Sequence, residues 1–261
     1  MTARILIGTS GYAYADWVGP VYPRGTRPDE YLRVYSKLFS TCELNFSHYV
    51  IPTAKTLSTM VERTEGRMQF AVKVHRSITH ERPADLAVAV HDVREPLEPL
   101  REAGVLAAVL LQFPQSFHRE RDNRVYLGAL VELFRPDPLV VELRHRSWEH
   151  PRVFEQMREN DVALCALDVP DLPGLFRPPA VVTSSLGYVR FHGRNAADWY
   201  SGESPHARYE HSYSKEELVP WIGRLRTMAS QVDTLLVYFN NHPRGHAVES
   251  AKLLEAMLAE G

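Results

Sequence analysis

Cysteine is almost absent: Cys42 and Cys165 are the two in 261 residues. Neither a disulfide framework nor a cysteine-only zinc site can be built from them, which fits a reducing cytoplasm. Both sit among apolar residues and read as buried thiols, not nucleophiles. Long apolar runs are missing as well. None approaches the ~20 residues a membrane span needs, and the start MTARILIGTSGY has no secretory h-region. An excess of one charge is also lacking. Thirty basic against thirty-two acidic residues leave a net charge of −2, so a globally basic nucleic-acid binder is not favoured, although a local basic pocket is allowed. GxSxG, HExxH, P-loop and CxxC motifs do not occur. Repeats and low-complexity stretches are likewise absent, and 18 prolines and 14 glycines are spread along the chain.

What is present is a recurring pattern. Eight short β-rich runs are predicted at Arg4–Gly8, Thr41–Phe46, Gln69–His75, Ala107–Phe113, Leu139–Arg144, Ala163–Asp168, Gly187–His192 and Thr234–Asn240. Their nearly continuous apolar character suits parallel strands buried on both faces. Helical spacing appears at Asp29–Phe39, Pro52–Arg63, Val125–Phe134, Val153–Asn160 and Ala247–Ala259. Ser214 and Glu217 form a capping-box pattern opening a further helix, with Pro220 in its first turns. Leu86–Glu102 contains Pro96 and Pro99, so any helix there must break or end early. Pro170–Pro179 reads as extended loop. Eight strands alternating mostly with helices over ~250 residues indicate one α/β domain over 1–261, a single (β/α)₈ barrel of the TIM type. Its helix between strands six and seven is irregular or missing. An open doubly wound sheet would usually carry a glycine fingerprint after the first strand, and GTSGY lacks that spacing.

The strands turn polar at their C-terminal ends: Thr9 and Ser10, Glu43 and Asn45, Lys73 and His75, Gln112, Glu142 and Arg144, Asp168, Arg190 and His192, Asn240 and Asn241. Residues two apart on a strand share a face, and in a barrel all these ends meet at one mouth. An unpaired buried charge costs several kcal/mol, so such a ring needs mutual pairing, a ligand or water. The structural alternative is an inert barrel plugged by ion pairs, Glu142 with Arg144 or Arg190 and Asp168 with Lys73. Eight polar strand ends together favour a site, because barrel interiors are normally filled by Val, Ile and Leu. Aromatic residues follow several strands, among them Tyr12, Tyr14, Trp17, Tyr22, Phe46, Tyr49, Trp148, Trp199, Tyr200, Tyr209 and Tyr213. They can stack a sugar or base over the mouth, or simply pack loop against barrel.

The segments GTSGYAYADWVGPVYP (8–23), CELNFSHYVIPT (42–53), FAVKVHRSITH (70–80), LLQFPQSF (110–117), VELRHRSW (141–148), YVRFHGR (188–194) and VYFNNHPRGHAVESA (237–251) resemble the YecE-like family, a domain of unknown function (number seventy-two). The resemblance spans nearly the whole chain, in order, and implies a TIM barrel. It also implies that Tyr12, Trp17, Glu43, Asn45, Tyr49, Lys73, Gln112, Glu142, Arg144, Trp148, Arg190, His192, Asn240 and Asn241 occupy characteristic positions. Tyr12 stands where the family often has tryptophan, and Ser47–His48 where it usually has threonine–phenylalanine.

The leading expectation is general acid–base chemistry on a small, polar, anionic substrate, such as a phosphorylated sugar or nucleotide-like compound. Glu43, Lys73, Glu142 and His192 are the expected catalytic residues. Tyr12, Trp17, Asn45, His75, Gln112, Arg144, Trp148, Arg190, Asn240 and Asn241 are expected to bind substrate. No cofactor is expected. The runner-up is a metal-dependent isomerase, epimerase or phosphodiesterase whose divalent ion is held by Glu142, Asp168 and His192. Arg144, Lys73 and Arg190 oppose a cation there. A third reading is a non-catalytic protein that captures a metabolite or single-stranded nucleic acid. The expected location is cytoplasmic, without membrane contact, and the oligomeric state is left open.

Overall fold

The computed structural model describes residues 3–200 and 207–260. Nine parallel strands form one sheet: β1 Arg4–Ser10, β2 Thr41–Leu44, β3 Gln69–Lys73, β4 Leu106–Gln112, β5 Leu139–Glu142, β6 Ala163–Leu164, β7 Ala166–Asp168, β8 Leu186–Phe191 and β9 Thr234–Phe239. Their order is β6-β5-β4-β3-β2-β1-β9-β8-β7. β6 and β7 are halves of one stave, parted at Cys165, whose N–H still donates to Val141 O at 2.9 Å. Eight staves therefore close a TIM-type barrel.

The split has a local cause. β8 reaches the level of β6 in register but forms no ladder with it, and the Thr183 hydroxyl bonds the β6 backbone instead. It accepts from Leu164 N at 2.8 Å and donates to Val162 O at 2.7 Å. Buried backbone groups must be paired, and here a side chain does what a strand does elsewhere.

Nine helices are found among the described residues: α1 Tyr31–Tyr35, α2 Ala54–Arg63, α3 Arg76–Thr79, α4 Leu86–Arg94, α5 Glu98–Glu102, α6 Arg121–Phe134, α7 Pro151–Glu159, α8 Lys215–Ala229 and α9 His246–Ala259. The capping box at Ser214 forms, and Pro220 is accommodated inside α8. The 86–102 segment breaks into α4, a 3₁₀ turn at Glu95–Leu97 and α5, with Pro96 and Pro99 each near the start of a new piece. No helix joins β7 to β8. The one expected helix that shrinks markedly is 29–39. α1 keeps five residues, because beyond Tyr35 the turn tightens to i→i+3 bonding (Leu38 N to Tyr35 O, 2.8 Å). Among the described residues no helix is long and apolar enough to cross a membrane.

Alternation along the strands sorts the core into two layers. Leu6, Ala71, Ala108, Leu110, Val140, Cys165, Tyr188, Leu236 and Tyr238 pack inside the barrel. Ile7, Val109, Leu111, Val141, Val189, Val237 and Phe239 face the helices. The alanines leave room for two tyrosine rings, Tyr188 and Tyr238, 5.3 Å apart.

Candidate functional site

Continuing the inward register to the strand ends brings Ser10, Glu43, Lys73, Gln112, Glu142 and Arg190 to one mouth. Asn45, Arg144, His192 and Asn240 lie just past the ladders. The expected strands run one or two residues beyond the real ones there. At Asn45 the backbone has turned helical (φ −87°, ψ −24°) to open a 3₁₀ turn at Phe46–His48.

The floor is an ionic cluster. Glu43 and Glu142 are wholly buried, and Arg190 is 1% exposed between them. Arg190 Nη2 donates to Glu43 Oε1 at 2.7 Å, and Nη1 donates to Glu142 Oε2. The Tyr188 hydroxyl donates to Glu43 Oε2 at 2.6 Å, and Arg144 Nε to Glu142 Oε1 at 2.8 Å. Burial alone would raise the Glu142 pKa, but Arg190 and Arg144 hold it well below the usual carboxylate range. His192 Nδ1 lies 3.0 Å from the Asn240 amide nitrogen, and its Nε2 is 3.5 Å from Glu142 Oε1. The amide nitrogen can only donate, so Nδ1 accepts there, while Nε2 lies 3.5 Å from both an acceptor, Glu142 Oε1, and a donor, Arg190 Nη1. Burial, partly offset by Glu142, lowers the His192 pKa to about 4. Arg190 Nε is buried with no partner.

Above the floor opens a cavity of about 450 Å³. Its walls carry Lys73, Arg144, Arg190 and Arg208, the amides of Asn45, Gln112 and Asn240, and the rings of Tyr12, Tyr14, Phe46, His48, Tyr49, Tyr209 and His242. Among the described residues no Asp or Glu lines it. Lys73 is half-buried, and its amine makes no hydrogen bond or ion pair among the described residues. Burial, then Arg190 and Arg144, lower its pKa to about 7 against the opposing pull of Glu142 and Glu43. His48 is lowered to about 3, chiefly by burial and then by Lys73, and Tyr12 is pushed up to about 12 by burial. A wider hollow of about 700 Å³ at the other end of the barrel is lined by Lys37, Arg63 and Arg67 and includes no strand-end residue.

Of the expected site residues, Tyr12, Asn45, Lys73, Gln112, Arg144, Arg190 and Asn240 line the cavity, while Glu43, Glu142 and His192 lie beneath it. Four others are elsewhere. Trp17 is fully buried, and its indole donates to His242 O at 2.8 Å, bracing a loop. Trp148 stacks on Phe117 and donates to its carbonyl at 2.6 Å. His75 does not follow Lys73 into the mouth, because β3 ends at Lys73 and the His75 ring accepts from Ser77 N as the cap of α3. Asn241 has the opposite register and donates to His211 O at 2.8 Å and Ser250 Oγ at 3.1 Å.

The metal set also comes apart. Asp168 points to the helical layer, where it accepts from Arg194 Nε (2.8 Å) and Nη2 (2.6 Å), Tyr213 (2.7 Å) and Trp221 (2.7 Å). It is not brought to Glu142 and His192, nor does it pair with Lys73. Among the described residues no group of three His, Cys, Asp or Glu is placed to hold a metal ion.

His48, Arg208 and His242 line the cavity and escaped the sequence reading. They sit on 3₁₀ turns or loops, where a two-residue alternation carries no information. His242 stacks on Tyr14 with ring centroids 4.4 Å apart.

The family described as "Protein of unknown function DUF72" matches residues 6–261. The UPF0759 protein YunF of Bacillus subtilis (strain 168) is 30% identical over 97% of this chain and 94% of its own length. A crystal structure of a DUF72 family protein from Thermotoga maritima MSB8 superposes with a TM-score of 0.91 at 34% identity, covering 98% of this chain and 99% of that one. A DUF72 family protein from Enterococcus faecalis V583 gives a TM-score of 0.86 at 27% identity, covering 98% and 96%.

Proposed function

The chain belongs to DUF72, a protein family of unknown function, and on that premise we propose that it is an enzyme acting by acid–base chemistry on a small anionic substrate. The substrate is a phosphorylated sugar or nucleotide-like compound, and Lys73 is the residue that moves a proton on it. One observation carries this: among the described residues the cavity wall has four cationic side chains and no carboxylate. The two floor carboxylates offset about half of that charge, so the site still favours an anion. Arg144 supports the reading further. Its Nε is spent on Glu142, while its two Nη groups have no protein partner among the described residues and can fork onto a phosphate or carboxylate.

The proton-transfer role passes from Glu43 and Glu142 to Lys73. Both carboxylates are engaged by Arg190 and lie outside the cavity wall, so they act as positioning residues. A lysine near neutrality is suited to giving and taking a proton. Asn45, Gln112 and Asn240 orient the ligand, and the ring of aromatics covers its less polar face.

Calorimetric titration of inorganic phosphate and a panel of sugar phosphates and nucleotides tests this. Wild type should bind a phosphorylated compound, and Arg144→Ala should weaken binding at least about tenfold, a loss of ~1.4 kcal/mol. Lys73→Met should bind it and fail to turn it over. Absence of binding by every anion contradicts the proposal.

A further inference from the structure

We propose that Lys73 is a nucleophile as well as a proton carrier, forming an imine with a substrate whose aldehyde or ketone lies close to a phosphate or other anionic group. This rests on the anionic-ligand reading of the same cavity and names the substrate class within it.

The chain is poor in lysine. It has five, and Lys37, Lys55, Lys215 and Lys252 are all exposed, whereas Lys73 alone lines the mouth cavity. Arg144 and Arg190 take the two nearby carboxylates, so the charge balance of the floor is met without Lys73. Arginine cannot lose its proton in a protein, while a desolvated lysine can. A half-buried amine without a partner among the described residues, sharing a cavity wall with two guanidinium groups, is disfavoured as an ammonium and so more available as the free base that attacks carbonyl carbon. Its pKa, lowered to about 7 by burial and then by Arg190 and Arg144, leaves a large fraction of it neutral at physiological pH.

The step balances without an oxidant or reductant. The Nζ lone pair forms a bond to the carbonyl carbon, and the C=O π pair moves to oxygen, which takes a proton. Nitrogen loses its surplus proton, giving a carbinolamine. The remaining nitrogen lone pair then forms C=N as the C–O bond breaks, and the oxygen leaves as water with a second proton. The same arginines that disfavour an ammonium at Nζ disfavour a protonated imine. An anionic group on the substrate, held by Arg144, offsets that charge. A carbonyl compound bearing a phosphate is therefore selected over its neutral counterpart.

Borohydride trapping tests the proposal, because hydride addition to C=N turns a transient imine into a stable secondary amine. The wild-type protein is mixed with dihydroxyacetone phosphate, reduced, and mapped by peptide mass spectrometry, while phosphate binding is followed separately by calorimetry. The adduct is expected on Lys73 at least tenfold above each of the four exposed lysines. It should be absent in Lys73→Arg and at least tenfold weaker with neutral dihydroxyacetone. Phosphate binding with no adduct, or with labelling spread evenly over all five lysines, overturns the imine and leaves the anion site standing. Neither binding nor adduct overturns both. The wild-type map decides the matter even if a variant fails to fold.

Discussion

Arg190 Nη2 donates to Glu43 Oε1 at 2.7 Å inside the barrel, where Glu43 is wholly buried and Arg190 only grazes the cavity. With Glu142 on its other nitrogen, the guanidinium is clamped between two buried carboxylates. Removing it strands both. Arg190→Met should lose about 3–5 kcal/mol in urea denaturation, the usual cost of breaking a buried pair from one side. Glu43→Gln should lose less, since Arg190 can still donate to the amide oxygen while the Tyr188 hydroxyl turns to accept from the amide nitrogen. Equal stability of Arg190→Met and wild type would show that the cluster contributes nothing to the fold.

Acid should weaken the protein through the same cluster. The depressed Glu142 contributes stability that is present above its unfolded pKa and lost as pH falls through the folded one. His192, lowered from 6.5 to about 4, is protonated first in the unfolded chain, so stability falls between those values. The loss is at most about 1.4 kcal/mol per pH unit for each such group. Urea midpoints measured from neutrality down to about pH 4 should decline steadily, and less steeply in His192→Asn. A flat profile would mean that the imidazole is not held neutral.

Lys73 works in the opposite sense to a structural cation. Its folded pKa, about 7, lies below the ordinary 10.5, so the unfolded chain binds more protons between these values and stability rises with pH there. Lys73→Met should stabilise the protein at neutral pH by about 0.5–2 kcal/mol, as relief of a strained functional site commonly does. The alkaline rise should vanish in this variant. Destabilisation by Lys73→Met would make it an ordinary packing residue.

Asp168 separates scaffold from site. Its four donors, from Arg194, Tyr213 and Trp221, lie outside the barrel interior. Asp168→Asn should cost about 1–3 kcal/mol, because the amide nitrogen then faces donors from Tyr213, Trp221 and Arg194, which keeps Glu217 as its counter-charge. Phosphate binding by the folded fraction should stay unchanged. A loss of ligand affinity in excess of the loss of fold would tie Asp168 to the mouth after all.

The barrel was legible because apolar runs of the right length recur eight times, and Glu43, Lys73, Gln112, Glu142 and Arg190 could be placed at its mouth by register alone. Legibility failed one or two residues past the ladders. Glu142/Arg144 and Arg190/His192 kept their shared face, whereas His75 turned away to cap α3 and Asn241 fell on the outer register. Asp168 is the instructive case. It ends a strand like the others, yet one register step sends it to Trp221 in the helical layer, and with it goes the metal site that sequence order suggested. Trp17 and Trp148 were aromatic and near strand ends, but burial of their rings under loops leaves nothing for a ligand. His48 and Arg208 lie in turns whose direction no periodicity encodes.

The amine of Lys73 is the point on which the rest turns, and with five lysines in the chain its side-chain resonances can be resolved by NMR after labelling at the ε position. A pH titration should find one resonance, absent in Lys73→Arg, changing near 7 and moving upward when phosphate is added. A titration with no resonance changing near 7 and none moved by phosphate would contradict both the cationic cavity and the chemistry assigned to it.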